Sequence, residues 1–304
     1  MTTIPRPDPS VIGGVPRAPL AFLPDPAALF DRRAKRFAFL ADHGGNLAPY
    51  LRFLAGLTAL QARLAADLPA LPPLPPARVE LARSSRMPPI DRAVLAHDEA
   101  MHDTLSRFLA EAAALDMPEQ ARLALTAVAA AGIADRHWLL ENLLSERIPE
   151  DSVAPHLFVA GAVQLHLARL AAGLDAAGLV RIGTGICPAC GGRPATSSVT
   201  GAPEIENVRY AACGSCATQW NEVRVTCLCC GSTKGVSYRS VETGEATVKA
   251  ELCGECHGWV KILYQVRNPS LDPIADDVAS LGLDMLMRDT GFTRGGFDPW
   301  LAGY

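Results

Sequence analysis

A chain of 304 residues, 49% of them hydrophobic, is long enough to hold two domains and to bury a core. Its 28 basic and 32 acidic side chains leave a formal net charge of −4, which excludes a protein built to coat nucleic acid or an anionic membrane. Membrane spans are excluded too, because Leu123 to Ala134 is short and Val153 to Val180 is cut by His156, Gln164, His166 and Arg169.

Met1 to Ser10 carries three prolines and no apolar h-region. Residues 1–24 are therefore read as a loose arm, and a soluble, cytoplasmic protein without a signal peptide is expected. From Asp25 the pattern is helical. Asp25-Pro26 is an N-cap followed by proline at the first helical position, and Leu29, Phe30, Arg33, Phe37 and Leu40 continue with a spacing of three to four toward His43. Gly44-Gly45 ends that helix, and a second is predicted over Leu47 to Asp67. Pro69 to Pro89 holds seven prolines and is expected to be an extended strap, residues 69–90 of a helical domain spanning 25–182. Helices resume at Asp91 to Leu115, Pro118 to Ala131, Ala134 to Ser145 and Asp151 to Ala177.

Beyond Gly183-Thr184-Gly185 the character changes. All nine cysteines lie after residue 186, and eight form Cys-x-x-Cys pairs: Cys187/Cys190, Cys213/Cys216, Cys227/Cys230 and Cys253/Cys256. The first two pairs recur 40 residues later as the last two, so the region is a tandem repeat with two thiolate pairs per copy. A Cys-x-x-Cys knuckle lets two sulfurs converge on one tetrahedral metal, and two knuckles complete a four-sulfur site. Pairing within each copy uses a 22-residue excursion, while pairing Cys213/Cys216 with Cys227/Cys230 needs ten intervening residues; the duplication favours the former. Glycine follows the first knuckle of each copy (Gly191, Gly231), allowing a positive φ and letting amides point at sulfur. Short β-prone segments fall at Ser197–Thr200, Val208–Ala212, Thr218–Val225, Gly235–Arg239, Thr247–Leu252 and Gly258–Gln265. These are the elements of two rubredoxin-like or zinc-ribbon units, 183–225 and 226–268.

A C-terminal helix, Leu271 to Arg288, is capped by Asp272-Pro273 within a final segment, 269–304. Ile274, Val278, Leu281 and Met285 form its apolar face, and Asp277, Ser280 and Asp284 its polar face. The fold class is thus α+β: an N-terminal all-α helical bundle, two tandem metal units and a C-terminal helix.

Closed four-sulfur sites leave no open coordination position, so Lewis-acid hydrolysis is excluded, and a structural or one-electron role remains. The cofactors expected are two metal ions, iron or zinc, since the same ligands accept either. Cys229 lies outside the repeat register and is the spare thiol. The seven histidines lack a ligand spacing with carboxylates; His97, Asp98, Glu99, His102 and Asp103 cluster on one helix and read as a solvated face. His257 directly follows a knuckle and is read as no more than a neighbour of the second site. No Ser-His-Asp ordering, phosphate-cradling glycine loop or basic stripe stands out, so neither catalysis nor nucleic-acid binding is indicated.

Three stretches together resemble the formate dehydrogenase accessory protein FdhE family. They are Phe22-Leu23-Pro24-Asp25-Pro26 through Arg33-Ala34-Lys35-Arg36 and Leu40-Ala41-Asp42-His43; the cysteine region, notably Cys187-Pro188-Ala189-Cys190-Gly191, Arg209-Tyr210-Ala211-Ala212-Cys213, and Trp220 with Val223-Arg224-Val225; and Lys261-Ile262-Leu263-Tyr264-Gln265 through Ala275-Asp276-Asp277-Val278-Ala279-Ser280-Leu281 to Gly291-Phe292 and Arg294. The resemblance covers nearly the whole chain in matching order. It implies a cytoplasmic maturation factor, not an enzyme, that binds the catalytic subunit of a respiratory formate dehydrogenase before export by the twin-arginine route. It also implies rubredoxin-like, iron-binding C-terminal units whose eight paired cysteines matter for that interaction, and it brings iron level with zinc. Cys229 departs from the pattern, as a non-cysteine is expected inside that knuckle. Asp276, Asp277 and Asp284 on the acidic helix are the candidate partner-binding residues, and a homodimer is left open. The alternative is a small electron-transfer protein using two iron sites.

Overall fold

In a computed structural model, residues 18–202, 205–241 and 246–303 are described; the proline-rich arm Met1 to Ser10 lies outside them. The helical region opens as the sequence predicts. In α1 (Pro26–Ala41) the Asp25 carboxylate accepts from the Ala28 N–H at 3.2 Å, and Phe30 and Phe37 are fully buried against α2 (Ala48–Asp67). Within the proline-rich stretch the expectation of an extended strap fails at one place: Pro76–Ser85 is a helix, α3. Pro76 sits where a helix needs no N–H, Arg83 pairs with Glu80 one turn back, and the helix stops at Arg86, which takes a left-handed φ of 52°. Prolines set the start of this helix and leave its interior free.

The predicted helix from Asp91 to Leu115 is split into α4 (Arg92–Leu95) and α5 (Glu99–Ala112). Asp98 causes the break, because its side chain caps α5 by accepting from the Met101 N–H at 3.0 Å. After α6 (Glu119–Ala130) and α7 (Ile133–Leu144), helix α8 (Val153–Ala172) runs through the centre of the bundle and is buried along most of its length. Its polar residues are satisfied internally: Gln164 donates to the Gly214 carbonyl at 2.8 Å, and His166 Nδ1 lies 3.0 Å from the Thr104 hydroxyl. No helix among the described residues is long and apolar enough to cross a membrane.

Both repeats enter one sheet. The first contributes β2 (Pro194–Val199), β3 (Arg209–Cys213) and β4 (Gln219–Glu222); the second contributes β5 (Val236–Arg239), β6 (Val248–Cys253) and β7 (Gly258–Tyr264). With β1 (Ala21–Phe22) the order is β1-β4-β3-β2-β7-β6-β5, and β8 (Thr293–Arg294) pairs beside the start of β7. Pairing inside each repeat is antiparallel, whereas the junction β2–β7 is parallel, with Thr196 opposite Lys261 and Val199 opposite Tyr264. A buried ion pair crosses the junction. Arg209 of β3 donates to Glu251 of β6 at 2.7 Å and to the Ser197 hydroxyl at 3.0 Å, and the Tyr238 hydroxyl completes Glu251 at 3.2 Å. Burial still pushes the Glu251 carboxyl above its ordinary value, with Arg209 and its hydrogen bonds opposing.

The C-terminal helix is also shorter than predicted. It is two pieces, α9 (Ala275–Ala279) and α10 (Leu281–Met287), broken at Ser280, whose hydroxyl donates to the Asp276 carbonyl at 2.6 Å and to the Asp277 carbonyl at 3.1 Å. Ile274, Val278 and Leu281 pack inward as expected, but Met285 is 60% exposed because the break rotates α10 away from that face.

Candidate metal centre

Each Cys-x-x-Cys is a tight turn held by its own backbone. In the first copy the Cys187 N–H donates to the Gly192 carbonyl at 3.0 Å and the Gly191 N–H to the Cys187 carbonyl at 2.9 Å. In the second, Cys227 to Ser232 (2.8 Å) and Gly231 to Cys227 (2.9 Å) repeat the pattern. Gly191 and Gly231 have φ of 76° and 78°, the conformation the spacing predicts. Their amides, however, bond these carbonyls; amides that reach sulfur include those of Ser215 and Cys216 (both 3.4 Å to Cys213), Cys229 (3.3 Å to Cys227) and Gly258 (3.4 Å to Cys256). The second knuckles turn without glycine, at Ala217 (φ 59°) and His257 (φ 55°), positions again 40 residues apart.

The knuckles pair within each copy, as the duplication favours. Cys187, Cys190, Cys213 and Cys216 form one cluster and Cys227, Cys230, Cys253 and Cys256 the other, with all four sulfurs of each cluster within 4.8 Å of one another. Sulfur separations are 3.6 Å (Cys187–Cys216), 3.5 Å (Cys190–Cys213), 3.7 Å (Cys227–Cys256) and 3.7 Å (Cys230–Cys253). A tetrahedral ion with bonds of about 2.3 Å requires edges of about 3.8 Å. The donor sets therefore fit zinc or iron equally, and both sites can hold a metal ion. Four thiolates around a divalent ion leave a net double negative charge that the surroundings must offset.

The two clusters meet that need differently. The first is enclosed: its four cysteines are at most 1% exposed, and the Ile90 N–H donates to the Ala189 carbonyl at 3.1 Å, tying the knuckle to the helical region. Arg92 of α4 reaches it through the space left by Gly192, where a side chain would collide with both the guanidinium and Glu146. Burial opposes the charge on Arg92, but Cys190, Glu146 and Cys213 outweigh it and push its pKa above the ordinary value. Glu146 holds Arg92 at 2.7 Å and Arg193 at 2.8 Å, so the cation next to the cluster is itself fixed. Among the thiols, burial pushes Cys187 and Cys216 up, while hydrogen bonds from Cys187, Cys213 and Cys216, together with Arg92, hold Cys190 well down.

In the second cluster Cys230 and Cys256 are exposed. Burial pushes Cys227 and Cys256 up to about 12; at Cys253 burial also raises the pKa, but N–H groups of Cys256 and Glu255 together with the Cys227 and Cys230 thiols outweigh it and lower it. Here backbone N–H groups at the sulfurs and the solvent exposure of two of the four cysteines are available to offset the charge. The spare thiol Cys229 lies outside the four-sulfur set, packed against Gly258 and Gly295, and burial pushes it up to about 11.

Sequence reasoning missed Arg92, Glu146 and Arg193, since nothing in their local pattern marks them; only the fold brings helices to the knuckle. It also misplaced the acidic residues. Asp276 and Asp277 are buried, as is the Asp284 side chain, and all three are committed to internal ion pairs. Arg36 of α1 holds Asp276 at 2.6 Å, Lys261 of β7 holds Asp277 at 2.9 Å and also Asp284, and Arg294 closes the ring on Asp277 (2.5 Å) and Asp284. These residues clasp the C-terminal segment to α1 and β7, and so they are not a surface for a partner. The histidine cluster is likewise no simple solvated face: Asp98 is a cap, His102 bonds the Ala96 carbonyl at 2.8 Å, and the His137 ring from α7 packs on His97 and His102. His257 packs on Phe292, with ring centres 5.5 Å apart.

Comparison with known proteins covers almost the whole chain. Family models described as FdhE N-terminal, FdhE central domain and FdhE C-terminal domain match residues 18–184, 186–224 and 225–301. A protein FdhE homolog of Rhizobium meliloti (strain 1021) is 55% identical over 301 residues, spanning 98% of each chain. A homolog from Proteus mirabilis (strain HI4320) is 32% identical over 285 residues, 93% of this chain and 91% of its own. The crystal structure of the FdhE protein from Pseudomonas aeruginosa superposes with a TM-score of 0.84 at 31% identity, covering 94% of this chain and 99% of that one.

Proposed function

The chain belongs to the FdhE family, and from that premise we propose that it is a maturation factor that binds the catalytic subunit of a respiratory formate dehydrogenase in the cytoplasm before that subunit is exported. The observation that carries this reading is the end-to-end family match together with two intact four-cysteine clusters. The protein acts by recognition and not as an enzyme. The helical bundle encloses the first cluster, and Gln164 bonds Gly214 next to Cys213, so a metal there would fix the attitude of the bundle against the sheet. A metal in the second cluster would tie Cys227 and Cys230 to the β5–β6 hairpin at the surface.

Co-purification tests the proposal: tagged protein is expressed with the formate dehydrogenase catalytic subunit, wild type beside Cys187→Ser/Cys190→Ser. Capture by wild type and loss in the variant, with helical circular dichroism retained, is the expected result. Failure of metal-loaded wild type to capture the subunit would defeat it. A second reading, electron transfer through two iron sites, is favoured by the exposure of Cys230 and Cys256. It predicts a reversible change in visible absorption on dithionite reduction, and colourless protein with two zinc ions would end it.

A further inference from the structure

The duplication relates strands as well as cysteines. With an offset of 40 residues, β2 corresponds to β5, β3 to β6 and β4 to β7. Corresponding strands do not have corresponding neighbours. β2 is sandwiched between β3 and β7 and is buried throughout, whereas β5 has β6 on one side and ends the sheet, with Ser237, Tyr238 and Arg239 exposed. The edge that β2 uses to receive β7 is therefore, on β5, free of any described strand.

We propose that this edge of β5 receives an extended segment of the formate dehydrogenase catalytic subunit, running parallel to β5 and carrying carboxylate side chains. The inference rests on the functional reading above and names where the client docks. Its orientation comes from the molecule itself, because the equivalent edge of β2 takes a parallel strand. Main-chain hydrogen bonds along such an edge supply affinity, and flanking side chains supply choice. The charged side chains on β5 and its approach are Lys234 and Arg239, with acids only beyond its two ends (Glu242 in sequence, Glu255 beside Gly235), so carboxylates on the segment are placed opposite Lys234 and Arg239. Tyr238 and Val241, 41% and 59% exposed, offer apolar contact alongside.

A second copy is disfavoured as the occupant. Continuing the repeat would need the outer edge of its β4, and that edge is covered by β1 of its own chain: Ala21 lies opposite Trp220, the Asn221 N–H donates to the Leu20 carbonyl at 2.8 Å, and the Tyr210 hydroxyl donates to Pro19 at 2.9 Å. The segment before α1 closes one end of the sheet, and among the described residues no strand covers the other. The open end also adjoins the second cluster. Val236 is opposite Cys253 in register, and the Gly254 N–H between the knuckle cysteines donates to the Gly235 carbonyl at 2.9 Å. Cysteines that hold metal thereby hold the start of the docking strand.

Hydrogen exchange on the full-length, metal-loaded protein, with and without the purified catalytic subunit, reads the proposal directly. Amides of residues 234–241 should slow by roughly tenfold on binding, while those of β2, already paired, should not change. Successive residues of a strand send their N–H groups to opposite sides. Of Ser237→Pro and Tyr238→Pro, the variant that removes the outward donor should weaken capture roughly tenfold with both metals retained, and Arg239→Glu, which spares the backbone, should weaken it as well. Capture of the subunit with unchanged exchange at β5 overturns this inference and leaves the accessory role standing. No capture by wild type overturns both. Protection of β5 without the subunit, lost on dilution or on deleting residues 1–17, would assign the edge to a second copy or to the chain's own terminus and overturn the assigned occupant.

Discussion

The two four-cysteine clusters share ligand order, spacing and turn geometry, yet they occupy opposite environments. The first is sealed beneath the helical region with a largely buried arginine at its sulfurs; the second has two of its four cysteines at the surface. The duplication conserved the coordination chemistry, while the fold around each copy decided how its charge is balanced. A sealed thiolate cluster depends on a fixed cation because it has no solvent to screen it, and an exposed one does not. The first cluster is thus part of the core, and the second is part of the surface.

The largest expected effect breaks that comparison most directly. Cys187→Ser/Cys190→Ser should cost about 3–5 kcal/mol in unfolding free energy with the helical bundle still folded, because a buried metal site contributes folding energy outright. Cys227→Ser/Cys230→Ser should cost less than half as much; metal content by mass spectrometry should fall from two ions to one in each, and denaturant unfolding gives the difference. Equal losses would mean that enclosure is irrelevant. Next, Arg92→Leu should weaken metal retention at the first site by about 10–100-fold and leave the second unchanged. With a colorimetric chelator, wild type should release metal in two phases, and the substitution should accelerate only the slow one.

Acid separates the bundle from both clusters. Burial holds the His166 pKa down to about 4, below its ordinary 6.5. Between those values the unfolded chain binds a proton that the folded chain does not, so stability falls as pH drops from about 6.5 to about 4 and then levels off. His166 contributes about 3 kcal/mol to that fall, an order-of-magnitude figure. His166→Leu should flatten this part of the profile measured by urea unfolding, and Thr104 keeps a partner because its hydroxyl also donates to the Ala100 carbonyl at 2.9 Å. The smallest effect concerns the spare thiol. Cys229→Ser should retain two metals and shift stability by no more than about 1 kcal/mol, since Cys229 packs beside the second cluster without completing it.

The clusters were legible from one-dimensional spacing because their ligands are local: two turns and a hairpin decide them. The helix starts at Asp25 and Pro26 and the positive φ at Gly191 and Gly231 were legible for the same reason. Residues acting across distance were not. Arg92 reaches the first cluster from a helix 98 residues before Cys190, Glu146 holds it from the turn after α7, 44 residues before Cys190, and no periodicity announces either. The acidic face of the C-terminal segment looked open because an amphipathic pattern records polarity and not who answers it; Lys261, Arg36 and Arg294 do so from three other places in the chain. A run of prolines hid α3, because Pro76 begins a helix as readily as proline ends one.

The parallel junction also sets a timetable. β2 leaves the ribosome about 60 residues before its partner β7, a delay of roughly 3–12 s at 5–20 residues per second. All six residues of β2 are buried in the finished protein, so during synthesis the strand waits with one ladder unfilled. A nascent chain carrying only the first repeat would already have the four cysteines that close its metal site, while its parallel seam stayed open. Stalling between residues 225 and 258 would be the interval in which that edge of β2 stays exposed to wrong partners.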